Sequence, residues 1–202
     1  MSGHGGTGKT FLWNCIVKTL RSEGKIVLAV ASSGVASLLL PNGRTAHSRF
    51  RIPFDITDHS QCNISRGSTL AALLEKTSLV LWDEAPMTNR HCFEALDRTL
   101  RDVLSIGDES RSSLPFGGKT VVFGGDFRQV LPVVEGGSKE QIVDASLVTS
   151  PLWRHVRVRK LVENMRLLHP DLTDEARAKC SEFAQWGLDI GNGAIPLHAR
   201  EG

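Results

Sequence analysis

Gly3-His4-Gly5-Gly6-Thr7-Gly8-Lys9-Thr10 satisfies the pattern G-x-x-x-x-G-K-[ST], and Phe11, Leu12 and Ile16 resume an apolar face directly behind it. The spacing has a chemical purpose. Gly3, Gly5, Gly6, Thr7 and Gly8 let backbone N–H groups close around phosphate oxygens, while Lys9 reaches the terminal phosphates. Thr10 is placed to ligate magnesium where a helix begins, and that end of a helix favours anions. A flexible glycine turn is the bland alternative, and the helical pattern after it argues for a nucleoside triphosphate site.

Outward from this loop, short apolar runs alternate with helical stretches, the pattern of a parallel sheet covered on both faces. Residues 25–31, 78–82 and 119–123 read as buried strands. Residues 9–22 read as a helix on the stripe Leu12, Ile16, Leu20, and residues 88–104 as one on Phe93, Leu96, Leu100, Leu104. Residues 50–68 and 107–118 lack either period and read as loops. The expected class is α/β, a RecA-like P-loop NTPase with a mostly parallel sheet and helices on both faces.

Two strand ends carry further chemistry. Leu79-Val80-Leu81-Trp82 runs into Asp83-Glu84-Ala85-Pro86. Beside a phosphate loop, Asp83 can hold magnesium and Glu84 can orient and deprotonate water; alone, the pair would read as a solvated turn. The run Thr120–Phe123 opens into Gly124-Gly125-Asp126-Phe127-Arg128-Gln129. Ligands of open α/β sheets sit beyond the carboxyl ends of strands, which puts Asp126 and Gln129 on the same rim as Lys9 and Asp83. The alternative has Asp126 capping the next turn and Gln129 facing solvent.

The 202 residues carry a net charge of only +2, so bulk charge argues for no nucleic-acid partner. Arg44, Arg49 and Arg51 cluster locally; Arg154 to Lys160 reads as a solvated strand face, with nucleic-acid contact as its alternative. Cys15, Cys62, Cys92 and Cys180 show no metal-binding spacing and read as free thiols, with Cys15 and Cys92 on apolar helical faces. No apolar run reaches spanning length, so no membrane role is expected and an intracellular setting is. There is no tyrosine, and Trp13, Trp82, Trp153 and Trp186 all lie in apolar patterns, so no base-stacking platform is expected.

The ordered set GHGGTGKT, Ala31-Ser32-Ser33-Gly34-Val35-Ala36, Gly43-Arg44-Thr45-Ala46-His47-Ser48, WDEAPMT, FGGDFRQVLPV and Leu161-Val162-Glu163-Asn164-Met165-Arg166 resembles the PIF (petite integration frequency) family of superfamily-one DNA helicases, most nearly its plant and Helitron-transposon branch. The resemblance implies ATP as substrate, magnesium as cofactor, and movement 5′-to-3′ on single-stranded and forked DNA in repair, recombination and telomere maintenance, in the nucleus or the mitochondrion. It implies that Lys9 and Thr10 serve phosphate and magnesium, and Asp83 and Glu84 magnesium and hydrolysis. Gln129 would sense the terminal phosphate, and Arg166 would reach it as a finger. Ser32, Ser33, Thr45 and His47 would face DNA; His47 alone would read as a hydrogen-bonded loop histidine.

Two departures from the family pattern stand out. Only Met1 and Ser2 precede the loop, so the first strand is expected to be missing from residues 1–166, the first RecA-like domain. Residues 167–202 are expected to form a helix and a link toward a second RecA-like domain that unwinding needs. An inactive nucleotide-binding remnant and a different P-loop ATPase stay open as alternatives.

Overall fold

The computed structural model describes residues 1–127, 129–168 and 170–194. Its elements in chain order are β1 (Ser2–Gly3), α1 (Lys9–Ser22), β2 (Ile26–Ala31), α2 (Gly34–Leu38), β3 (Arg44–Thr45), α3 (Ala46–Phe50), α4 (Thr69–Lys76), β4 (Thr77–Asp83), α5 (Arg90–Leu104), β5 (Thr120–Phe123), α6 (Lys139–Asp144), β6 (Lys160–Leu161) and α7 (Asp174–Gly191). β3, β2, β4 and β5 form a parallel sheet in that order, with Leu28 opposite Val80 and Trp82 opposite Phe123.

Successive side chains on a strand point to opposite faces, so β2 and β4 divide between two cores. Leu28, Val30, Val80 and Trp82 pack with Phe93, Leu96 and Leu100 of α5. Val27, Ala29, Ala31, Leu79 and Leu81 pack with Trp13 and Val17 of α1. The first core is aromatic at its centre: the Trp82 ring lies 4.5 Å from that of Phe93, and Phe93 meets Phe123 edge-on at 5.1 Å. The expected stripe of α5 is buried throughout. That of α1 is displaced by one position, because Trp13 and Val17 are the fully buried pair, with Ile16 and Leu20 flanking and Phe11 76% exposed. Trp13 wins because Gly124 leaves it room; a Cβ at Gly124 would stand 2.2 Å from the indole.

Residues 107–118 are more structured than a loop: Glu109–Ser113 is a short 3-10 turn, Phe116 and Gly117 follow in the left-handed region at φ 53° and 59°, and the Phe116 N–H donates to the Asp97 carboxylate on α5. Cys15 is exposed rather than on an apolar face, Cys62 and Cys92 are buried, and all four thiols are free. Trp186 is 53% exposed, stacked at a tilt on Phe183, so it too departs from its expected burial. Among the described residues no helix is long and apolar enough to cross a membrane.

The strand expected to be missing ahead of the loop is represented by two residues. β1 pairs in parallel with β6 and is bridged at Ser2 to Gly125, beyond the end of β5. Its bonds alternate sides as a ladder requires: Met1 donates its ammonium to Phe123 O, Ser2 N donates to Arg159 O at 2.8 Å, and Gly3 N to Gly125 O at 3.3 Å. Beside Met1 a groove of about 500 Å³ runs between Val121–Phe123 and Val156, Arg157 and Arg159, with Ile16 and Phe116 also lining it.

Candidate active site

The loop between β1 and α1 is shaped by two left-handed glycines, Gly6 at φ 87° and Gly8 at φ 80°, a conformation that costs any residue with a Cβ. Gly8 sits at the N-cap of α1 with no side-chain cap, which leaves the helix's first N–H groups aimed at the loop's concavity. Lys9 Nζ donates to Gly3 O at 2.6 Å and His4 O at 3.2 Å, and Thr7 Oγ1 donates to His4 O at 2.8 Å. Thr10 lies exposed in the first turn of α1.

Gly6 also makes room for a neighbour. A Cβ there would come 2.6 Å from Asn164 Oδ1 and 3.3 Å from Arg166 Cδ, and Met165 N donates to Gly6 O at 3.0 Å. The chain after β6 therefore lies against the phosphate loop and carries Arg166 with it. Asn164, which also accepts from Arg166 N at 3.2 Å, was not singled out from the sequence, although it stands two residues before the arginine that was.

β4 ends on Asp83, 5% exposed, and its Oδ1 is buried without a hydrogen-bond partner. Glu84 follows in the left-handed region, φ 52° and ψ 36°, a conformation that costs on the order of 1–3 kcal/mol away from glycine unless neighbours hold it. They do: Glu84 O accepts from Ser32 Oγ at 2.6 Å and Met87 N at 3.2 Å, and the next amide, Ala85 N, donates to Gly124 O at 2.8 Å. Burial raises the pKa of the Glu84 carboxyl; Asp83 and Asp126 push it the same way and Lys9 opposes them. That is the direction in which an acid is tuned toward general-base work.

Gln129 Nε2 donates to Asp126 Oδ2 at 3.1 Å, and Asp126 is 7% exposed. Gln129 and Arg166 share the wall of a cavity of about 980 Å³ with His4 and Gly5, and Phe183 and Leu188 of α7 line it too. The structure thus brings the glutamine, the arginine and the phosphate loop to one rim.

The residues expected to face DNA divide differently. The Ser32 hydroxyl donates to Glu84 O and accepts from Trp82 Nε1 at 3.2 Å and Thr88 Oγ1 at 2.6 Å, which fills a hydroxyl's capacity of one donor and two acceptors. It works inward, tying β2 to the acidic pair. Ser33 and Thr45 cap α2 and α3, accepting from Ala36 N and Ser48 N, and each keeps its O–H for another partner. His47 is half-buried, its pKa lowered by that burial. Ser32, Thr45 and His47 line one groove of about 660 Å³.

A magnesium ion fits these groups. Asp83 presents an orphan carboxylate oxygen, and no cluster of three or more His, Cys, Asp or Glu surrounds it among the described residues. A cation there would take most of its ligands from phosphate and water, as Mg²⁺ does beside a nucleotide.

A family model described as PIF1-like helicase matches residues 1–201. Among curated relatives, the chain is 30% identical over 155 residues to an ATP-dependent DNA helicase Pif1 of Psychrobacter sp. (strain PRwf-1), covering 76% of this chain and 22% of that one. It is 34% identical over 140 residues to an ATP-dependent DNA helicase PIF1 of Danio rerio, covering 68% and 20%. The chain therefore spans well under half the length of these relatives. Among solved structures, it resembles Bacteroides Pif1 in complex with ADP-AlF3 and ssDNA, with TM-score 0.73, 26% identity and coverage of 96% of this chain and 42% of that one. It also resembles a structure of two coordinating Pif1 helicases at forked dsDNA, with TM-score 0.73, 27% identity and coverage of 96% and 44%. The fold is that of the RecA-like helicase domains.

Proposed function

Because the chain belongs to the PIF1-like helicase family, we propose that residues 1–166 form the first RecA-like ATPase domain of an ATP-dependent DNA helicase. Residues 167–202 would lead toward a second such domain, which strand separation requires because closing two domains around ATP is what moves DNA. Single-stranded and forked DNA are the substrates, travelled 5′-to-3′ in the service of repair, recombination and telomere maintenance in the nucleus. The WDEAPMT and FGGDFRQVLPV stretches support placement in the plant and Helitron-transposon branch.

The observation that carries this reading is the convergence, at one rim of the sheet, of the phosphate loop, the Asp83-Glu84 pair and Arg166. ATP would draw Lys9 off the carbonyls of Gly3 and His4 onto the terminal phosphates, while the amides after Gly8 meet the phosphate oxygens. Thr10 and Asp83 would hold magnesium, which supplies neutralisation of charge on the phosphates. Glu84 takes the proton of the attacking water, and its half-buried carboxyl is tuned upward for that step. Gln129, oriented by Asp126, contacts the water or the terminal phosphate. Arg166 stabilises charge spreading over the phosphoryl oxygens.

The test is ATP hydrolysis by the chain with and without single-stranded DNA. Glu84→Gln is expected to lower turnover by about 10²–10⁴-fold, the range for losing a general base, while nucleotide binding persists. Lys9→Ala is expected to weaken binding itself. Wild-type turnover in Glu84→Gln would remove Glu84 from the chemistry.

A further inference from the structure

The segment after α3 carries an aromatic ring where the tryptophan and tyrosine pattern of the sequence offered none. Phe54 is 91% exposed. A solitary exposed phenylalanine is ordinary on a protein surface, but this one has a second ring beside it. Its ring lies parallel to the His47 imidazole, 11° between planes and 5.9 Å between centroids. His47 is in turn set by α5, with Nε2 3.9 Å from Cys92 Sγ. The two rings are offset rather than superposed, so the imidazole flanks the phenyl ring and leaves its faces open to solvent.

The ring closes one side of the groove of about 660 Å³ described above, whose other walls include Thr45, Ser48, Arg51 and Asn63. No carboxylate lines that groove, and Arg51 supplies a cation. A flat apolar face, a cation and uncharged donors in one groove match a nucleotide, whose base offers a π-face and whose phosphate offers charge. An apolar peptide side chain would use the ring and leave the rest of the groove unmatched.

We propose that Phe54 is a stacking platform for one base of a single-stranded nucleic acid lying in this groove, with Arg51 and the Thr45 hydroxyl against the backbone. The proposal rests on the nucleic-acid motor reading and deepens it: the groove grips the strand through a base as well as through phosphates. Because every base has a π-face, the grip is indifferent to sequence.

Binding of a short oligothymidylate to the 202-residue chain, compared with the same oligonucleotide lacking bases, tests it by fluorescence anisotropy. The wild-type chain is expected to lose roughly fivefold or more in affinity when the base is removed. Phe54→Ala is expected to shrink that ratio, Phe54→Leu to do the same while keeping an apolar group, and Phe54→Trp to restore it. Equal ratios in wild type and Phe54→Ala, with oligonucleotide binding intact, would overturn the platform and leave the motor reading standing. A wild-type chain that binds neither oligonucleotide would sink both.

Discussion

Glu84 combines a left-handed backbone, a half-buried carboxyl and the proposed role of a catalytic base. Its folded pKa is raised, so the folded state binds its proton more readily than the unfolded chain does, and the ionised form costs stability at pH values above the folded pKa. Glu84→Gln, which carries no charge, is therefore expected to unfold at a higher temperature than wild type at neutral pH. That difference fades as pH falls through the folded value and vanishes below the ordinary glutamate range; a melting series across pH checks it. The same shift moves the acid limb of kcat/KM, which reports the free enzyme, upward from where an ordinary glutamate would set it. The acidic pair was legible in sequence because an apolar strand ran straight into it beside a phosphate loop. Ser32 was not: its partner is the Glu84 carbonyl, 52 residues away, and nothing local in Ala31-Ser32-Ser33-Gly34 says which hydroxyl turns inward.

The elements show where periodicity suffices and where it does not. β2, β4, β5 and α5 fall within about two residues of the spans read from apolar runs, because β2, β4 and α5 bury a face or a strand against the core; β5, read as buried, is buried only at Phe123 and leaves Thr120 exposed. The face of α1 shifts because a glycine more than a hundred residues later decides which side chain fits, and that is tertiary information. Gly124→Ala should force Trp13 to move and cost about 1–3 kcal/mol, the usual toll of overpacking a core; urea unfolding measures it.

For the whole molecule, a net charge of +2 conceals a local concentration of cations. Arg49 has its pKa lowered by burial and then by Arg44 and Arg21, which sets three guanidiniums near one another on the side of β3. Binding of single-stranded DNA should accordingly weaken on a log–log plot against salt with a slope near −0.7 for each phosphate neutralised. An anisotropy titration over a salt series reads that slope, and a flat line would mean that the patch does not meet the backbone. Ser32 gives this surface a wider consequence. It lines the groove that carries His47 and Phe54, and its hydroxyl holds the carbonyl of Glu84, the residue proposed to activate water. Where an occupant of the groove that shifts Ser32 also alters the affinity for ATP by some factor, linkage requires ATP to change the affinity for that occupant by the same factor. A nucleotide that tightens the grip when bound loosens it when released, and the hydroxyl shared by the two walls is the contact through which such an exchange would pass.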